Sequence, residues 1–138
     1  MTNNFEETIT SQFKVIFPTT LNDHETLFGG EALKWMDEVA YITAIRFTRN
    51  KMVTVSTDKI KFLKPIGAGS IVEIVGKVLN VGAVKIDVLV EIYMEEMQVE
   101  NRQKVISGQF TFAAVNEKGK PILINDTFKN ERKHLLND

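Results

Sequence analysis

The chain has 138 residues, 43% of them hydrophobic and 25% charged, with 17 basic and 18 acidic side chains and a formal net charge of −1. That length fits a single domain, residues 1–138, with a core over about 10–125, and a pI near 6.1 gives no bulk attraction to nucleic acid. Cysteine is absent, which excludes disulfides and thiolate metal sites.

Residues 1–9 are polar and lack the basic and apolar regions of a signal peptide. No run approaches the roughly 18 apolar residues of a membrane span, so a cytoplasmic protein without membrane insertion is expected. Residues 11–17 alternate as a half-buried strand, with Phe13, Val15 and Phe17 on its apolar face and Gln12 and Lys14 on the other, stopped by Pro18. A polar loop over 18–26 then delivers the chain to Gly29-Gly30, where a long helix opens. Adjacent glycines allow close backbone approach and supply positive φ if the turn needs it, and the first N–H groups of the helix suit an oxyanion or phosphate.

At 100° per residue the helix centres its apolar stripe on Ala32, Met36, Val39, Ala40, Thr43 and Phe47, with Glu31, Glu38 and Arg49 roughly opposite. Asp37 lies about 90° from the stripe's centre, with no basic residue three or four positions away. Such a carboxylate is either a solvated boundary residue or an acid/base group in a cleft. Trp35, Ile42 and Ile45 fall on the opposite face, more apolar surface than a monomer leaves exposed, so self-association is expected. Arg46, Arg49 and Lys51 suit the helix dipole at its C-terminal end, a phosphate contact being the other reading.

Residues 52–62 read as a strand whose apolar parity switches from Val53 and Val55 to Ile60 and Phe62, which calls for a bulge or bend across 57–59. A turn over 64–70, a strand over 71–79 and a tight reversal at Val81-Gly82 follow. Residues 83–95 alternate cleanly, with Val84, Ile86, Val88, Val90, Ile92 and Met94 on one face. A charged connection over 96–104 leads to a last strand over 105–115, a closing turn over 117–121, and a short polar helix over 126–136 after the N-cap candidates at 125–127. This order predicts an α+β domain: an antiparallel sheet of about five or more strands wrapped around one central helix.

Several blocks then occur together: Pro18 through Asn22, Leu27-Phe28-Gly29-Gly30, Trp35-Met36-Asp37-Glu38-Val39-Ala40, Val53-Thr54-Val55-Ser56-Thr57-Asp58 and Phe62-Leu63-Lys64-Pro65. With Phe110-Thr111-Phe112 and Gly119-Lys120-Pro121, they make the chain from 17 to 124 resemble the single-domain bacterial acyl-CoA thioesterases of the hotdog fold, similar to the cytosolic long-chain acyl-CoA hydrolases. The resemblance implies hydrolysis of fatty acyl-CoA by dimers with active sites between subunits, assembling further into a trimer of dimers. It implies a catalytic set of Asn22, Asp37 and Thr54, with Asn22 and Asp37 from different subunits. Asp37 would be general base or nucleophile, Asn22 and Thr54 would position water and carbonyl, and a backbone N–H near Gly30 would be the oxyanion donor. Gly29, His24, Ser56, Lys64, Gly82 and Lys85 are the expected substrate and CoA contacts, with no metal and no cofactor beyond the CoA of the substrate.

Two positions depart from that pattern. Val84-Lys85 stand where a polar Thr-Ser pair is expected, and Glu25 stands where glycine is frequent. Two other functions compete. A hotdog acyl-CoA sensor would carry a helix-turn-helix, for which 138 residues leave no room. A hotdog dehydratase needs a catalytic histidine, and only His24 approaches the helix; as with His134, a solvated role suits it better.

Overall fold

The computed structural model describes residues 8–124; the lead-in before Thr8 and the helix expected over 126–136 lie outside the described residues. Five strands form one antiparallel sheet: β1 (Ile9–Val15), β2 (Met52–Phe62), β3 (Ile71–Val81), β4 (Lys85–Glu96) and β5 (Val99–Ala114). Their spatial order is β1-β3-β4-β5-β2. A 20-residue helix, α1 (Gly29–Thr48), connects β1 to β2 and lies against the inner face of the sheet. This is the hotdog arrangement that the resemblance implied.

The helix sits there because its stripe is continuous. Ala32, Met36, Val39, Ala40, Thr43 and Phe47 are all buried, against Val72 and Ile74 of β3, Ile86, Val88, Val90 and Ile92 of β4, and Ile106, Phe110 and Phe112 of β5. Gly76 lets β3 approach closely: a Cβ there would stand 2.5 Å from Thr43 Oγ1 and 3.0 Å from Val39 Cγ1. The bulge expected across 57–59 is present as a register shift between Asp58 and Lys61, with Lys59 in the left-handed region at φ 53. A second shift, between Thr54 and Ser56, precedes it, and Met52 and Thr54 face inward while Val53 and Val55 are exposed. The shift at Lys59 turns Ile60 inward, where its tip and the end of Met36 occupy the space left by Gly108.

Three expectations are corrected. In β1 the apolar face points outward: Phe13 is 63% exposed, while Thr10 and Ile16 of the opposite parity are buried. The inner side of this edge strand meets the flank of the helix, where polar side chains fit: Arg46 Nη1 donates to Ile9 O at 2.8 Å and Thr10 Oγ1 at 3.0 Å, and Lys14 Nζ lies 5.1 Å from the centre of the Trp35 ring. Trp35 is therefore buried within the protomer, and of the three apolar residues assigned to the helix's outer face Ile42 is the exposed one. The charged connection over 96–104 is mostly strand, with Met94↔Gln103 and Glu96↔Val99 paired, so that Met97 and Gln98 alone make the turn. Its charges reflect a hairpin end that the helix does not cover.

The outer face of the sheet carries an ionic cluster. Glu91 pairs with Lys104 at 3.2 Å and Lys77 at 3.8 Å, and Arg102 pairs with Glu73 while stacking 4.1 Å from the centre of the Tyr93 ring. Burial opposes the charge on Glu73, but hydrogen bonds from Ser11 and Arg102 outweigh it and hold that carboxyl below its ordinary value. Burial and the neighbouring Glu91 carboxylate push the Tyr93 phenol up.

Candidate active site

Asp37 emerges on the margin of α1, half-buried, where the helix passes under β2. Thr54, next to the first bulge of β2, lies opposite Phe112 and donates from Oγ1 to Asp37 Oδ1 at 3.2 Å. The bond leaves Asp37 Oδ2 without a partner among the described residues. The carboxylate is thus oriented by one hydroxyl and open to a water on its other oxygen.

Asn22 lies elsewhere in the protomer, in the loop before the helix. That loop opens with a short 3-10 turn (Pro18–Thr20) and is closed by a bridge between Leu21 and Leu27. Asn22 Oδ1 accepts from His24 N at 2.8 Å and Thr26 N at 3.1 Å, and Nδ2 donates to Thr26 Oγ1 at 3.0 Å. The side chain therefore builds its own loop, as asparagines in turns do, yet the second hydrogen of its amide remains for a ligand. Asn22 also lines a cleft of about 380 Å³ with Leu27, Gly29, Ala32, Phe62 and Lys64, an apolar trough with an amide on one wall and an ammonium at its rim. Lys64 Nζ donates to Gln103 Oε1, a partner that periodicity does not reveal because it comes from across the sheet.

Gly29 and Gly30 form the first turn of α1 with negative φ, so the pair does not supply a left-handed turn. Its value is close approach: a Cβ on Gly30 would come within 3.2 Å of the Phe28 ring, and one on Gly29 within 3.6 Å of the Phe62 ring. Their N–H groups carry no backbone partner among the described residues, whereas those of Glu31 and Ala32 bond to Phe28 O. The positive φ belongs to Glu25, at 62, the position where glycine was expected.

The other expected contacts are dispersed. His24 is solvated beside Asp23, its Nε2 3.7 Å from Asp23 Oδ1. Ser56, past the bulge, pairs with Thr111, whose hydroxyl donates to Asp87 at 2.6 Å on the outer face, so Ser56 faces away from Asp37. Gly82 and Lys85 form a reversal in which Gly82 N donates to Lys85 O at 2.7 Å. That hairpin adjoins Ala113 and Ala114, next to the start of β2, and so sits at the C-terminal end of α1. Asn22, Gly29, Gly30 and Lys64 cluster at the N-terminal end. Among the described residues no group of His, Asp and Glu is arranged to hold a metal ion, and no helix is long and apolar enough to cross a membrane.

Comparison with known proteins adds to this geometry. A family model described as the thioesterase superfamily matches residues 24–100. An uncharacterized acyl-CoA thioester hydrolase of Bacillus subtilis is 36% identical over 107 residues, covering 78% of this chain and 62% of that protein. This chain thus spans about three fifths of the length of the first curated relatives it matches, 62% and 61%. An acyl-CoA hydrolase of Staphylococcus aureus, solved with butyryl-CoA, CoA and CoA disulfide, is 29% identical with a TM-score of 0.82 over 96% of this chain and 88% of that one. Three further structures of that enzyme replace an aspartate, a threonine or an asparagine with alanine, at positions spaced as Asp37, Thr54 and Asn22 are here. A hexameric thioesterase of Yersinia pestis is 26% identical with a TM-score of 0.77 over 82% of this chain and 92% of that one.

Proposed function

This chain belongs to the thioesterase superfamily, and from that premise we propose that it hydrolyses fatty acyl-CoA to a free acid and CoA. The observation that carries this reading is the Asp37–Thr54 pair, an oriented carboxylate with one oxygen open, in a chain related to acyl-CoA hydrolases. Asp37 removes a proton from water as its oxygen attacks the thioester carbonyl. The negative charge that develops on the carbonyl oxygen is met by a helix N–H and the Asn22 amide. Collapse breaks the C–S bond, and the thiolate of CoA leaves and is protonated. Direct attack by Asp37 Oδ2 would use the same contacts and pass through an anhydride that water then opens.

One length supports a site shared between two subunits. Gly30 and Asp37 share a helix, and seven residues at 1.5 Å each separate them by about 10 Å along its axis. An oxyanion donor must stand about 3 Å from the oxygen it stabilises, and the base must reach the carbon of the same carbonyl or a water beside it, so a donor and a base this far apart on one helix are better matched across two subunits. A second copy related by two-fold symmetry reverses the helix and brings its N-terminal end to this Asp37. The partner subunit's Asn22 and the partner subunit's Gly30 then complete the centre. The same operation brings the partner subunit's Lys64 toward the Gly82–Lys85 end, so that both can meet the phosphates of one CoA. The contact is available: β2 is an edge strand, with Val53, Val55 and Phe62 exposed in the protomer. Given the hexameric relative, further assembly into a trimer of dimers follows the same logic.

The test is release of free thiol from a panel of acyl-CoAs. Asp37→Ala and Asn22→Ala should each lower kcat by about a hundredfold or more, the usual worth of a positioned acid/base group or oxyanion donor. An unmutated protein that binds acyl-CoA without turnover would be a sensor, and the hydrolase reading would fall.

A further inference from the structure

We propose that Thr26 is a positioning residue for the Asn22 amide, fixing the plane of that group so that one of its N–H hydrogens is left for the thioester carbonyl oxygen; this rests on the thioester-hydrolase reading above. An amide stabilises a developing oxyanion well only if its donor is held in place before the charge appears. An asparagine side chain by itself is not so held, since a half turn about its last torsion exchanges a donor for an acceptor.

The contacts of Asn22 remove that freedom. Its Oδ1 accepts from the backbone N–H groups of His24 at 2.8 Å and Thr26 at 3.1 Å, two donors that an NH2 group could not face. The Thr26 hydroxyl lies beside both ends of the amide, with Oγ1 3.0 Å from Nδ2 and 3.2 Å from Oδ1. It accepts one Nδ2 hydrogen, and a flip of the amide would lose that bond together with both backbone donors. The loop does not need the hydroxyl for its own closure, because Asn22 N donates to Thr26 O at 2.7 Å and Glu25 N to Asn22 O at 3.1 Å through the backbone alone. Thr26 is anchored from the other side as well: it bridges Gly67, and Leu27 N donates to Ile66 O at 2.7 Å. The hydroxyl therefore stands on a fixed base in the wall of the cleft that Asn22 and Thr26 both line. A threonine needed only for its branched shape in that bridge would be served equally by valine.

The experiment measures thiol release by the unmutated protein, by Thr26→Val, which keeps the shape and removes the hydroxyl, by Thr26→Ser, which keeps the hydroxyl, and by Thr26→Val combined with Asn22→Ala. Thr26→Val should lower kcat about tenfold with KM nearly unchanged, a part of what loss of a whole oxyanion donor costs, and Thr26→Ser should keep most of the original rate. With Asn22→Ala already in place, Thr26→Val should lower kcat no further, because no amide is left to position. A Thr26→Val protein that melts normally and stays within about twofold of the original kcat overturns the proposal, as does an equal fall with and without Asn22. If the valine variant does not fold, Thr26→Ala carries the same comparison. Should no acyl-CoA release thiol, the hydrolase reading fails on its own. In that case, or where Asn22→Ala leaves no measurable rate, 15N relaxation of the Asn22 side-chain amide decides this inference: a group that is rigid in the unmutated protein and in Thr26→Ser but mobile in Thr26→Val supports it, and one equally rigid or equally mobile in all three overturns it.

Discussion

Glu25 holds a backbone conformation that suits glycine, with φ 62 in the loop that positions Asn22. A side chain in the left-handed region costs roughly 1–2 kcal/mol. Glu25→Gly should therefore stabilise the fold by about 1 kcal/mol, less the entropy glycine gains in the unfolded chain, seen as a higher urea midpoint with an unchanged slope. A lower midpoint would mean that the strain is offset by contacts of the Glu25 side chain. At this scale the sequence was informative about type and silent about company. Asp37 could be singled out as a carboxylate at the edge of an apolar stripe, but its hydroxyl partner comes from a strand whose register depends on a bulge. Asn22 is the loop-builder that its residue type suggests, and it also lines a cleft.

Elements whose two sides differ sharply in environment were legible. The helix stripe survives in the structure residue for residue, and the apolar face of β4 is buried from Ile86 to Ile92, because one side of each meets the core and burial imposes the period. The outermost strand was misread for the same reason in reverse. In β1 neither side is fully enclosed, so phenylalanine at 13 and 17 stands outside and Lys14 lies over Trp35 within. Gly76 shows what periodicity misses, since a gap in an apolar face reads as a weak strand rather than as a fitted contact. Gly76→Ala would place a methyl group 2.5 Å from Thr43 Oγ1, whose hydroxyl is already tied to Val39 O at 2.8 Å, and 3.4 Å from that same oxygen. Because a helix backbone cannot step aside, the substitution should destabilise by about 1–3 kcal/mol. Gly67→Ala, with nothing within 4 Å of the added atom, is the control and should leave the thermal midpoint near its original value.

At the scale of the whole molecule, the groups proposed for catalysis are distributed in a way that reading along the chain does not reveal. The blocks that carried the family resemblance lie within one polypeptide, whereas their geometry separates them: loop amide, helix N–H groups and Lys64 at one end of α1, carboxylate and hydroxyl further along. Exposure along β2 was equally hidden, because an edge strand awaiting a neighbour and a half-buried strand share the same alternating letters.

In the dimer proposed above, the separation of Gly30 from Asp37 along one helix would make each polypeptide a donor of two unlike half-sites. Defective subunits should therefore rescue one another. Asp37→Ala and Asn22→Ala proteins, each inactive alone, are denatured together in equal amounts and refolded. Half of the resulting pairs are hybrid, and each hybrid has one wholly intact centre and one lacking both groups. Thiol release should return to about a quarter of the unmutated rate, while a mixture that stays inert would place both groups of each centre on the same polypeptide.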